Sequence, residues 1–276
     1  MQPKKSLGQN FLTSIPARLK MVEAGGVTSA DTVLEIGPGK GFLTKALLET
    51  GAKVIALEKD TDLLPLLSES FSSEIATGAL TLIEGDALEH TPTFAHSPHS
   101  TLYPPLSTYK LIANIPYYIT GAILSRFLTL PHQPSCIVVL IQKEVAERAC
   151  AKDGKESLLS LSIKAYGDPK LVYRVSRGSF NPIPKVDSAI LQISNISRKN
   201  FKHDYHEAMF FKVIHAAFAH KRKFALSNIQ SVFKNVDIKT LFKEANLSEK
   251  VRAEDVTLHA WIQISSRLSS NGATRL

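Results

Sequence analysis

Cysteine is nearly missing from this chain, whose 276 residues include only Cys136 and Cys150. Two thiols cannot make the framework that staples small secreted domains, and no Cys/His spacing suits zinc. Neither disulfides nor a metal site is expected, and a reducing compartment, the cytoplasm, fits. Long apolar runs are also lacking. The first twelve residues are basic and polar without a signal-like core, and no stretch of eighteen or more apolar residues follows, so nothing is expected to enter or span a membrane. Acid is in short supply as well: 25 Asp and Glu face 33 Lys and Arg, for a net charge of +8 and a pI of about 9.4. Such an excess is the footprint of a phosphate-backbone binder, and a merely basic soluble protein has the same balance. No Ser-His or Cys-His constellation suggests covalent catalysis.

What remains is ordinary globular material, 44% hydrophobic and 21% charged, long enough for one main domain and a smaller appendage. Short β-branched apolar runs at 32–36, 53–57, 80–83, 110–113 and 136–141 alternate with helix formers at 42–49, 60–71, 120–130 and 143–151. Alternation of this kind predicts a doubly wound α/β domain, a mostly parallel sheet covered on both faces. The runs 171–175 and 188–193 are separated only by a Pro-rich loop, too short for a crossover helix, so they are expected to pair antiparallel at one edge. Beyond Ile193 the chain turns polar and basic and then shows short helices without strands. This places the boundary near 195, with a catalytic domain over 1–194 and a helical domain over 195–276. Residues 89–108, rich in His, Pro, Ser and Thr, read as a surface loop.

Three strand ends carry chemistry. The first runs into Gly37, Gly39 and Gly41 before a helix, the place where an open α/β sheet binds nucleotides. The spacing is G-x-G-x-G; the third glycine of a dinucleotide fingerprint would fall on Phe42, which disfavours a nicotinamide cofactor. The second strand ends near Glu58, 21 residues after Gly37, where a carboxylate can accept both hydroxyls of an adenosine ribose. A helix N-terminal charge is the bland reading. The third ends at Asp86 and Ala87, with the Asp suited to an adenine amino group. Together the three ends favour an adenosine-containing cofactor.

A fourth strand ends in Asn114, Ile115, Pro116 and Tyr117. An amide, a proline and an aromatic here match the pattern of amino-group methyltransferases. The lone pair of an adenine N6 is delocalised into the ring and must be localised before it can attack a methyl sulfonium. The Asn114 side-chain oxygen and the Ile115 carbonyl can each accept one N6–H, and Tyr117 can stack on the base. No strong base is needed, because catalysis of this kind is positioning plus electrostatics. Taken alone, the motif could be a strand-end turn with Pro116 starting a helix.

With these motifs, with Lys4 to Leu12, with Gln142 to Arg148 and with Phe180 to Ser188, the chain resembles the rRNA adenine N6,N6-dimethyltransferases. The likeness is to their small-subunit (16S rRNA) branch, associated with kasugamycin sensitivity, and covers almost the whole chain. It implies a Rossmann-like S-adenosylmethionine-dependent methyltransferase fold with a small all-helical C-terminal domain. It further implies that Gln9, Asn10 and Leu12 close over S-adenosylmethionine, that Gly37, Gly39, Glu58, Asp86, Ala87 and Asn114 bind it or the reacting amine, and that Phe180 stacks on a flipped adenine. The implied substrate is a pair of adjacent adenosines in the 3′-terminal hairpin loop of 16S rRNA, within the small subunit or its precursor, methylated during assembly. Lys221, Arg222 and Lys223, followed by Ser227 and Asn228, are assigned to RNA contact, against a solvated helix start. A monomer is expected. Departures from the family pattern are Ile115 for Leu, Lys221 for Arg, and Glu156-Ser157 for Tyr-Gly. Large-subunit rRNA dimethylases, which often carry Ile at the position of Ile115, a non-catalytic RNA-binding factor on the same fold, and a nicotinamide oxidoreductase are the competing readings.

Overall fold

The computed structural model describes residues 3–4, 7–89, 108–151 and 154–272, so the loop expected over 89–108 lies, apart from its ends, outside the described residues. The chain folds into two compact units. One comprises residues 1–147 and 168–196, the other residues 148–167 and 197–276.

In the first unit β1 (Phe11–Leu12) and α1 (Ile15–Gly25) precede β2 (Thr32–Ile36), α2 (Phe42–Leu48) and β3 (Lys53–Glu58). Helices α3 (Leu64–Ser70) and α4 (Ser72–Ala76) lead to β4 (Leu80–Glu84). Then come β5 (Lys110–Asn114), α5 (Thr120–Thr129), β6 (Cys136–Gln142) and α6 (Lys143–Ala149), of which residues 143–147 belong to this unit, and later β7 (Asp168–Val175), β8 (Phe180–Asn181) and β9 (Ser188–Ser194). Seven strands form one sheet in the order β4-β3-β2-β5-β6-β9-β7. The first five are parallel and β9 is antiparallel to both its neighbours.

Central strands read as continuous apolar runs because both faces are covered: every residue of β6 up to Ile141 is buried. The chain steps outward from β2 to β4, then returns to β5 beside β2. Such a reversal opens a crevice at the carboxyl ends of the strands. Registers Ile36 to Leu57 and Glu58 to Glu84 bring those ends to a common level.

Helix α1 was not expected from the sequence. Ser14 caps it by accepting from the Ala17 amide, Pro16 fits its first turn, and Gly26, at φ 52°, ends it. It packs closely on β5: a Cβ at Gly25 would stand 2.6 Å from the Ile112 side chain.

The second unit holds α7 (Leu158–Lys164), α8 (Asp204–Phe218), α9 (Ala225–Val232), α10 (Ile238–Glu244) and α11 (Leu258–Gly272). Phe210, Ile214, Ile229, Phe242 and Trp261 are sealed in its core. Glu156 and Ser157, the departures noted above, have local work here. Ser157 makes a capping box with Ser160 at the start of α7, and buried Glu156 takes the Lys164 ammonium and the Ser160 hydroxyl.

Candidate active site

The crevice holds a cavity of about 760 Å3 lined entirely by the first unit, within the range of small-molecule sites. Gly37 and Gly41 need their conformations for different reasons. Gly37, at φ 66°, has no heavy atom within 4 Å of where a Cβ would stand, so its backbone faces the open cavity. Gly41, at φ 79°, would place a Cβ 2.3 Å from the Phe71 ring. One glycine keeps the site open and the other lets α2 start against α3.

Glu58, at the end of β3, is 5% exposed. Its Oε2 accepts from the Gly39 amide at 3.0 Å and its Oε1 from the Asp60 amide at 2.8 Å. Burial pushes its carboxyl up, and the two amides oppose that shift. The pair of amides fixes the carboxylate plane beside the glycine turn and leaves further lone pairs for a ligand.

Asp60 ties down the N-terminal arm. Its Oδ1 takes the Lys4 ammonium at 2.6 Å and its Oδ2 the Gln9 side-chain amide at 2.6 Å, while Lys4 also reaches Asp62. Gln9 Oε1 accepts from the Lys4 backbone amide. Gln9 thus closes the arm through Asp60, two residues beyond Glu58. Neither Lys4 nor Asp60 was assigned this part from the sequence, since the partners lie 56 positions apart.

At the end of β4, Asp86 is already engaged: Oδ2 takes the Lys59 ammonium at 2.6 Å and Oδ1 the Leu88 amide at 2.8 Å. Its neighbour Ala87 is buried on the cavity wall. Ligand binding by Asp86 would share a carboxylate with Lys59, a residue the sequence did not single out.

Asn114, at the end of β5, donates its side-chain amide to the Asn10 carbonyl at 3.2 Å. The Asn10 side chain donates to the Gly8 carbonyl. Ile115 is buried and Pro116 opens a short 3-10 turn, Tyr117–Ile119. The Tyr117 hydroxyl shares a 2.7 Å hydrogen bond with buried Ser188 on β9, which fixes the ring, and burial raises its pKa. Tyr118, 64% exposed, lies over Gly8.

Strands β1 and β8 form a separate antiparallel ribbon that pairs Leu12 with Phe180 and Phe11 with Asn181. Leu12 and Phe180 are both buried, and both line the cavity. The ribbon brings the N-terminal arm to the loop that carries the expected stacking residue.

Glu35, on β2, is the cavity's least expected member. It is 1% exposed, and its Oε2 has no hydrogen-bond partner. Burial pushes its carboxyl up to about 8; the Thr44 hydroxyl opposes that shift and the Glu58 charge adds to it. A buried polar atom without a partner beside an open glycine turn is what a polar ligand would complete. With the Gly37 backbone bare and Glu58 fixed, the residues present fit an adenosine cofactor that carries an amino acid. Among the described residues no group of three His, Cys, Asp or Glu could hold a metal ion, and no helix is long and apolar enough to cross a membrane.

In the second unit Lys221, Arg222 and Lys223 are exposed. They do not start a helix as expected but form the turn between α8 and α9, closed by the Lys223 amide on the His220 carbonyl. Asn228, proposed for RNA contact, is instead 2% exposed and donates to the Ala217 and His220 carbonyls. It braces the turn from within.

A match to the family described as ribosomal RNA adenine dimethylase spans residues 1–270. The ribosomal RNA small subunit methyltransferase A of Fusobacterium nucleatum is 36% identical over 264 residues, 95% of this chain and 96% of that protein. Its namesake in Dehalococcoides mccartyi is 37% identical over 98% of this chain and 90% of its own. Among solved structures, a dimethyladenosine transferase from Plasmodium falciparum superposes with a TM-score of 0.78 at 24% identity, covering 95% of this chain and 98% of that one. The 23S rRNA methyltransferase ErmE gives 0.72 at 22%, covering 94% and 99%. With the observed strand order, these likenesses establish the Rossmann-like fold of S-adenosylmethionine-dependent methyltransferases.

Proposed function

This chain belongs to the ribosomal RNA adenine dimethylase family and is a methyltransferase; we propose that it transfers methyl groups from S-adenosylmethionine to N6 of two adjacent adenosines of 16S rRNA. The target is the 3′-terminal hairpin loop, in the small subunit or its precursor, and the reaction is coupled to subunit assembly. The protein acts as a monomer in the cytoplasm. The observation that carries the chemistry is the end of β5. Asn114 is held by the Asn10 carbonyl through its amide nitrogen, beside the Ile115 carbonyl, whose peptide partner Pro116 has no N–H. The choice of the small subunit is supported by the relatives named for it.

Gly37, Gly39, Glu58, Asp86 and Ala87 would hold the cofactor, with Gln9, Asn10 and Leu12 closing the arm over it. When bound, S-adenosylmethionine supplies an already activated methyl group. The residues of this chain then have to orient a nitrogen and exclude water. Asn114 Oδ1 and the Ile115 carbonyl accept the two N6 hydrogens and direct the lone pair outward from them. Tyr117, anchored by Ser188, and Phe180 provide ring faces for a base withdrawn from its stack, a cost kept low in a single-stranded loop. Lys221, Arg222 and Lys223 supply sequence-independent phosphate contacts.

Radiolabelled methyl transfer to unmethylated small-subunit particles and, in parallel, to large-subunit rRNA, with identification of the product nucleoside, tests the reading. Dimethyladenosine in the small subunit alone is expected. Label confined to the large subunit would reassign the target, and label in neither would favour a non-catalytic RNA-binding factor.

A further inference from the structure

The cavity mouth carries three cations that the reaction above does not use. Arg18 on α1, Lys40 in the glycine turn and Lys45 on α2 all line it. Arg18 is half-buried, with its guanidinium carbon 4.5 Å from the centroid of the Phe42 ring. One of its N–H groups reaches the Phe42 carbonyl at a long 3.4 Å, and its Nε is buried with no hydrogen-bond partner. Lys40 holds its ammonium 5.0 Å over the Phe11 ring, which itself lies against Gly39. Lys45, exposed, sits one turn along α2 from Phe42. Among the described residues none of the three forms an ion pair with a carboxylate.

Arginine and lysine on a protein surface usually find an acid or are left mobile. Here two of them are held over aromatic faces, which restrains the cation without neutralising it. Arg18 is also short of acceptors, since a guanidinium offers five N–H donors in a fixed fork suited to two oxygens of one anion. Three positive charges exceed what one cofactor carboxylate requires. An adenosine that enters this cavity stays joined to its strand through a phosphate on each side, so a phosphodiester must pass the rim.

We propose that Arg18, flanked by Lys40 and Lys45, is a phosphodiester site that binds the RNA backbone next to the adenosine entering the cavity. The inference rests on the RNA-methylating function above and adds the residues of the catalytic unit that grip the strand. It gives that unit its own electrostatic hold on the substrate, separate from the basic turn of the helical unit.

The test compares wild-type protein with Arg18→Gln, Lys45→Gln and Arg18→Lys. An rRNA hairpin fragment is titrated at several KCl concentrations, S-adenosylmethionine affinity is measured by calorimetry, and thermal midpoints are recorded. Each Gln variant is expected to bind the RNA more weakly and to make the slope of log affinity against log salt shallower by roughly 0.7–0.9. Arg18→Lys should keep most of the slope, while cofactor affinity and thermal midpoint stay at wild-type values. A merely structural Arg18 would move the midpoint and not the slope. Unchanged slopes in both Gln variants overturn the proposal, as does an Arg18→Gln protein with weakened cofactor binding and an intact slope, which would give the anion to the cofactor's carboxylate. Wild-type protein that neither binds nor methylates rRNA would instead overturn the function on which the inference rests.

Discussion

The side-chain amide of Asn114 donates to the backbone carbonyl of Asn10 across 3.2 Å. One hydrogen bond therefore joins the end of a central strand to the N-terminal arm. It uses the amide nitrogen, and among the described residues nothing donates to Oδ1, the acceptor that the proposed reaction uses. Asn114→Ala should lower single-turnover methyl transfer by about 10²- to 10³-fold, with rRNA affinity nearly unchanged. Near-normal transfer by that variant would remove Asn114 from the chemistry.

The two glycines of the turn should fail differently. Gly37→Ala puts a methyl group into open cavity, so S-adenosylmethionine affinity should collapse while unfolding shifts by only about 1–2 kcal/mol, the cost of a left-handed alanine. Gly41→Ala meets the Phe71 ring at 2.3 Å and should destabilise the fold by more than that. Parallel calorimetry and urea unfolding of the two variants separate the effects.

Glu35 makes stability depend on pH. Its folded-state value, about 8, lies above the ordinary 4.5. Its stabilising contribution is therefore complete below pH 4.5 and is lost as pH rises toward 8, where the folded state must ionise a buried acid. Glu35→Gln should flatten this decline and, at pH 8, be more stable than wild type by on the order of a few kcal/mol. Urea unfolding at pH 5 and pH 8 checks the sign.

His206 acts in the opposite pH direction. Buried against α11, it accepts from the Lys202 amide through Nδ1, and its Nε2 meets Ser265 and the Ile262 carbonyl. Burial, aided by His203 and Lys202, lowers its pKa below 6.5 against the pull of the Ile262 carbonyl. Protonation then costs more in the folded state, so stability is intact above pH 6.5 and falls as pH drops below it. Amide hydrogen exchange in α8 and α11 should quicken at pH 5.5 relative to the intrinsic rate, and His206→Gln should blunt that response.

The seven sheet strands were legible because each is a short β-branched run ended by a turn or an acid, and parallel strands buried on both faces leave little else for such runs to do. That Glu58, Asp86 and Asn114 line one cavity was legible for the same reason, since strand ends at a switch point open on a crevice. Helix α1 was not: its apolar positions are scattered, with only Ala17, Met21 and Gly25 buried, so periodicity was silent and the Ser14 cap and Pro16 were the available signals. The basic turn was taken for a helix start because its brace, Asn228, works through backbone carbonyls that leave no mark in a pattern of side chains. The ties of Lys4 and Gln9 to Asp60, and of Lys59 to Asp86, were equally hidden, because single charges far apart in sequence do not announce their partners.

The β1–β8 ribbon also bears on the order in which the protein is made. The Thr13 amide meets the Ser179 carbonyl at 2.8 Å, yet the two residues stand 166 positions apart in the chain. At ordinary ribosomal speeds the arm is exposed for on the order of ten seconds before its partner strand is synthesised. The glycine turn and the carboxylate of Glu58 exist long before the cavity has its wall. An enzyme whose substrate is ribosomal RNA thus emerges from a ribosome with its pocket open, and the pocket acquires that wall only after the chain beyond Asn181 has left the exit.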